Sequence, residues 1–169
     1  MLRVVKIHLE VIRSEDCYAC RGCCSFDSRY PDFAPLFTDE QRARVAGELA
    51  ELKVEFVPVG RMWRVALREL PGTGRSVCPM LAGDGWHCRV YDYGIFDCDT
   101  WPYQVQVRGG RKLLTLTPEC PVVGEERLAA MRARGEALLS AMRDEVERHP
   151  ERLMPDYEGV IVLADLGPA

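Results

Sequence analysis

Four cysteines crowd into eight residues, Cys17-Tyr-Ala-Cys20-Arg-Gly-Cys23-Cys24, and no other feature of the chain constrains its folding as strongly. The surrounding stretch, Ser14 to Pro35, is rich in Gly, Asp, Ser and Pro and has no sustained hydrophobic period. That composition predicts a loop whose order comes from something other than packing. A C-x2-C step lets two sulfurs converge on one metal, because the turn between them curls the backbone around the ion. Backbone N–H groups in such a turn also donate to the thiolates. Gly22, beside Cys23, permits backbone angles that other residues resist. Cys23 and Cys24 are neighbours, and neighbouring side chains in an extended chain point apart. The pair therefore serves two different sites, or one of the two is a spare thiol.

The remaining cysteines, Cys78, Cys88, Cys98 and Cys120, are dispersed through the middle of the chain. Cys78 and Cys120 each precede a proline, which holds the cysteine backbone extended. None forms a second C-x2-C pair, so a paired-knuckle zinc ribbon is not supported. Eight thiolates suffice for two four-sulfur sites, or for one site plus other sulfurs. Any one dispersed cysteine also reads as a small buried hydrophobe. That reading fails for residues 17 to 24, whose polar, turn-rich setting makes no core. The C-x2-C-x2-C portion resembles the start of a ferredoxin-type cluster loop, though Cys24 comes early for that pattern.

Composition sets the context for these thiols. The chain has 169 residues, of which 47% are hydrophobic, enough to bury a core in one domain spanning 1–169. Its net charge of −4, with arginines interleaved among acids, offers no footprint for nucleic acid or an anionic membrane. Arg3, Lys6, His8 and Glu10 interrupt the N-terminal apolar residues, so no signal peptide is expected, and no stretch approaches a membrane span. The expected compartment is the cytoplasm, where reduced cysteines point to metal or redox chemistry before a disulfide framework.

Residues 2–12 alternate Val5, Ile7, Leu9 and Val11 with polar neighbours, which predicts a strand. Thr38-Asp39-Glu40-Gln41 reads as a capping box opening a helix to about Lys53, with Val45, Leu49 and Leu52 on its apolar face. Two strands, 54–59 and 62–69, should meet near Gly60, and Pro71 to Gly74 is a break. Tyr103–Val107 and Lys112–Thr117 flank Gly109-Gly110, a hairpin signal. An amphipathic helix over 124–149 carries Leu128, Met131, Gly135, Leu138, Met142 and Val146 at three-four spacing. A last strand is expected over Gly159–Ala164. The sum is an α+β fold with short antiparallel strands, about two main helices and a cysteine-rich region over 17–121.

The order of the cysteines is similar to that of the YkgJ-type cysteine-cluster family, described as a zinc- or iron-chelating CxxCxxCC domain. The matching elements are Cys17-x2-Cys20-x2-Cys23-Cys24, Cys78-Pro79-x-Leu81, Cys88-x-Val90-Tyr91, Cys98 with Trp101-Pro102, and Cys120-Pro121. The resemblance implies a metal centre on Cys17, Cys20, Cys23, Cys24, Cys78, Cys88, Cys98 and Cys120. It departs where the family has Arg-Pro after the tyrosine segment and this chain has Gly94-Ile95. It departs again at Asp99, where the family has arginine. Those replacements weaken an anion-handling role and leave the metal reading intact. Flagellin lysine methylases look similar in the same region.

Two metals suit this pattern. Zinc would tie the fold as a closed tetrahedral site. Iron–sulfur clusters favour three-cysteine loops with a remote Cys-Pro, which suits residues 17, 20 and 23 better. One or two sites are possible. The functions that follow are a thiolate metal-binding protein in redox or metal handling, an enzyme using the centre for methyl transfer or redox modification of a protein or peptide, or a zinc-stabilised interaction domain with an unknown protein partner. His87 beside Cys88 reads as a surface or supporting residue, and His8 and His149 need no function. Asp97 and Asp99 read as two solvated loop acids. Trp86, Tyr91, Tyr93, Phe96, Trp101 and Tyr103 either line a pocket or shield a metal from water.

Overall fold

Thr38 begins its helix as the capping-box signature requires. In the computed structural model, which describes residues 24–82, 87–118, 120 and 122–169, its hydroxyl accepts from the Gln41 N–H at 3.2 Å. The Gln41 side chain in turn accepts from the Thr38 N–H at 3.0 Å. Helix α1, Asp39–Glu48, is shorter than the apolar spacing predicts. Leu49 leaves helical geometry, a 3-10 turn covers Ala50–Leu52, and Lys53 takes a left-handed conformation at φ 47°. Leu52 still reaches the core, carried by the tighter turn. The strand expected over residues 2–12 lies outside the described residues, as do Cys17, Cys20 and Cys23.

The described chain gathers into two compact units, 24–99 and 100–169. In the first, strands are short: β1 (Ser25–Asp27), β2 (Leu36–Phe37), β3 (Phe56–Val59), β4 (Met62–Val65), β5 (Arg68–Leu70) and β6 (Arg75–Val77). They form two three-stranded antiparallel sheets, ordered β2-β4-β3 and β1-β6-β5. The strand predicted over 62–69 divides between them, because the chain changes sheets at Ala66 and Leu67. There the Ala66 N–H bonds to the Glu55 carbonyl at 2.9 Å, and Leu67 packs into the core. The break at Pro71–Gly74 is the β5–β6 turn, with Gly72 and Gly74 at positive φ. β1 is a strand inside the stretch read as irregular; three residues are too few to show a period. Ala34, Phe37, Val45, Leu49, Val65, Cys78, Met80, Val90 and Ile95 form the buried core. A five-residue helix, α2 (Phe96–Thr100), follows.

The second unit holds a four-stranded sheet ordered β10-β8-β7-β9, built from β7 (Tyr103–Arg108), β8 (Arg111–Leu116), β9 (Met154–Pro155) and β10 (Ile161–Pro168). All pairings are antiparallel except β7 with β9. Gly109 and Gly110, at φ 56° and 74°, make the expected two-residue hairpin turn, whose handedness suits twisted strands. Helix α3, Glu125–Arg148, buries Met131, Gly135, Leu138, Met142 and Val146, as its stripe predicts. At Gly135 the helix comes so close that a β-carbon would lie 2.5 Å from Leu163 Cδ1 and 3.4 Å from Tyr103 Cε1. Glu145, also buried, accepts from Arg152 Nε at 2.9 Å and from Arg148 Nη2 at 2.7 Å. Burying a carboxylate is tolerable only with such partners. The architecture is thus α+β with short, mostly antiparallel strands and two main helices.

Tyr103 pins the sheet to α3 by donating its hydroxyl to the Met131 carbonyl at 2.9 Å. Burial pushes its phenol up to about 12, so the folded state favours the neutral ring. Its contribution is therefore complete below the ordinary tyrosine value of about 10 and is lost as pH rises from about 10 to about 12. Tyr103→Phe is expected to lower stability by about 1 kcal/mol at neutral pH. In urea unfolding the gap between wild type and variant should narrow between about pH 10 and 12. A gap that widens over that interval would refute this account.

Candidate metal centre

The ladder between β1 and β6 places the first pair of cysteines. Ser25 pairs with Val77, Phe26 with Ser76 and Asp27 with Arg75. The same register continues one step outward, where the Cys78 N–H donates to the Cys24 carbonyl at 2.9 Å. Side chains alternate across such a ladder. The inner face carries Cys24, Phe26, Ser76 and Cys78, and both cysteines and Phe26 pack in or against the buried core. The outer face is polar: Arg75 Nε donates to Ser25 Oγ at 2.9 Å, and Arg29 forks onto the Asp27 carboxylate with its closest contact at 2.6 Å. The Arg29 hydrogen bond holds the Asp27 carboxyl at about 2. Cys24 and Cys78, far apart in sequence, are thus cross-strand neighbours on the apolar face. No local pattern signals such a pairing.

Cys88 reaches the same core by a second route. Pro79 carries the chain into a turn closed by the Leu81 N–H on the Cys78 carbonyl, at 3.1 Å. Leu81 then bridges antiparallel to Cys88, flanked by bonds from Ala82 N to His87 O at 2.8 Å and from Arg89 N to Met80 O at 3.0 Å. Cys88 is half-buried against the core. The intervening residues 83–86, with Trp86, lie outside the described residues.

Cys98 is exposed on α2, its N–H bonded to the Ile95 carbonyl at 3.0 Å. Its acidic neighbours are not the solvated loop acids that the sequence suggests. Asp97 accepts from the Leu36 N–H at 2.7 Å, tying α2 to β2, and Asp99 is only 5% exposed. Cys120 is buried in the second unit, where the Val123 N–H donates to its carbonyl at 2.9 Å. Among the described residues, no three His, Cys, Asp or Glu side chains converge in a way that would hold a metal ion.

The aromatic stretch divides by role. Tyr91 is exposed, at 43%. Tyr93 donates its hydroxyl to Glu48 at 2.7 Å and lies under the Arg44 guanidinium, 3.8 Å from the ring centroid. That hydrogen bond to a carboxylate raises the Tyr93 phenol, while Arg44 holds Glu48 below the usual carboxylate range. Gln41 adds a bond to the Gly94 carbonyl at 2.8 Å, so α1 fixes the segment between Cys88 and Cys98. Tyr103 serves packing in the second unit. An open hollow of about 380 Å³ there is lined by Arg108 and residues 156–160, and no cysteine lines it.

Comparison with family models, with curated proteins and with solved structures finds no match for this chain.

The burial pattern sets an order of thiol reactivity. In reduced, metal-stripped protein, Cys98 should be alkylated before Cys78 and Cys120, at least ten times faster on the order of a protected core site. Peptide mass spectrometry after brief maleimide exposure reads this directly. Cys78 labelling as fast as Cys98 would contradict the placement.

Proposed function

We propose that this chain is a cysteine-thiolate metal-binding protein, working in a compartment where its thiols stay reduced. The observation that carries the reading is that Cys24, Cys78 and Cys88, distant in sequence, each lie in or against the same buried core, with Cys24 directly opposite Cys78. Small hydrophobes would serve that core equally well as packing, but Val, Ala or Leu would do so without oxidation risk. The cross-strand opposition of Cys24 and Cys78, together with the Cys17-x2-Cys20-x2-Cys23 run, supports ligands over filler. The cysteine order supports membership of the YkgJ-type family, and with it a centre drawn from all eight cysteines.

Iron–sulfur is the form that the sequence spacing favours, with zinc as the competing occupant. The donor set is all sulfur, and its members Cys24, Cys78 and Cys88 lie in or against apolar side chains, which suits either. When bound, a cluster would supply one-electron chemistry, whereas zinc would supply folding energy. The chain's own contribution is to hold the sulfurs on short ladders and to keep water from the inner face.

Protein purified without air and without chelator is expected to be brown, to absorb near ~400 nm, and to contain iron and sulfide. Dithionite should bleach it. A colourless preparation with stoichiometric zinc would keep the thiolate reading and replace the metal. No metal, with eight thiols titrating freely, would sink it.

A further inference from the structure

We infer that Cys24 and Cys78 bind the same metal ion, as a cross-strand pair of thiolates. This deepens the thiolate reading above and rests on it. The argument begins with the kind of ladder position they occupy. A bond from the Cys78 N–H to the Cys24 carbonyl marks a hydrogen-bonded pair, two steps on from Phe26 and Ser76 in an unbroken register. Directly opposed residues of this kind have α-carbons about 5.5 Å apart and β-carbons toward the wide end of about 4.5–5.5 Å. Their side chains leave the sheet on one face.

That spacing discriminates between two fates for the sulfurs. A disulfide needs β-carbons about 3.8 Å apart, so this position would have to pinch the ladder to form one. A tetrahedral ion with sulfur bonds of about 2.3 Å holds two sulfurs about 3.7 Å from each other, a separation that the wide pair reaches by leaning inward. The ladder therefore accommodates two thiolates on one ion with less movement of the strands than a disulfide would need.

The inner face adds a reason for the ion to stay. Phe26 and the buried core flank the pair, and Cys78 is 7% exposed. A divalent ion bound there would displace the thiol protons, and its bonds to sulfur would be shielded from competing water. The pairing also narrows the identity of the centre. Zinc accepts two sulfurs on one ion, and so does each iron of an all-cysteine [2Fe–2S] cluster. A [4Fe–4S] cluster takes one cysteine per iron.

Cadmium-113 tests this in the full wild-type chain. The reduced protein is loaded with ¹¹³Cd²⁺, and proton–cadmium correlation spectra are assigned to the cysteine β-protons. The β-protons of Cys24 and Cys78 should correlate with a single ¹¹³Cd resonance. Correlation with two different resonances, or of only one of the two cysteines, would overturn the pairing and leave thiolate metal binding intact. Absence of any thiolate-bound ¹¹³Cd would overturn both. Variants give a second reading: Cys24→Ser and Cys78→Ser should each lose one bound equivalent of Cd²⁺, and the double variant should lose no more. Two equivalents lost in the double variant would refute a shared ion, and the wild-type spectra stand even where a variant does not fold.

Discussion

The hydrogen bond from the Cys78 N–H to the Cys24 carbonyl joins the start of the described chain to the end of the β5–β6 hairpin. It extends the β1–β6 ladder by one pair, and that ladder brings Cys24 and Phe26 to the core. No strand of the first unit exceeds four residues, and short isolated ladders are marginal in water. Their stability comes from side chains that two sheets and α1 bury together. Phe37, Met80 and Ile95 are almost wholly buried, and each such side chain contributes about 1.5–3 kcal/mol. Phe26 and Cys24 can join that core only while β1 stays paired with β6.

The second unit solves the same problem with length. α3 has 24 residues, and β10 runs for eight along β8. Gly135 lets the helix approach Leu163 and Tyr103, where a β-carbon would require the Leu163 side chain to move. The polar members of this interface are handled individually. Tyr103 donates to a helix carbonyl, and Glu145 is held by two arginines. Neither device supplies chemistry; both fix where the sheet lies against the helix.

Features that depend on a few adjacent residues could be read from the sequence. The Thr38–Gln41 capping box, the Gly109-Gly110 turn and the stripe from Met131 to Val146 each encode their geometry locally. What could not be read was long-range. Residues 62–69 look like one strand, yet the change of sheet at Ala66 is set by a bond to Glu55. Asp97 and Asp99 look like surface acids, yet one satisfies a backbone N–H of β2 and the other is buried. The cysteines show the same division. Their number and the Cys-Pro at 78 mark them as ligand candidates, but the opposition of Cys24 and Cys78 is a property of the β1–β6 register. A slip of one residue would turn one thiol to the polar face.

On the proposed shared ion, that dependence on register would couple metal binding and folding to each other. Cys24 and Cys78 pack beside Phe26 in or against the apolar core. An ion that draws two thiolates together replaces this packing with bonds that exist only when β1 is paired in register with β6. Binding energy then becomes folding energy for the strands least able to supply their own. The same coupling would let so short a ladder hold a defined site. A long, independently stable sheet would fix its cysteines whatever they bound, whereas here the occupant and the register select each other.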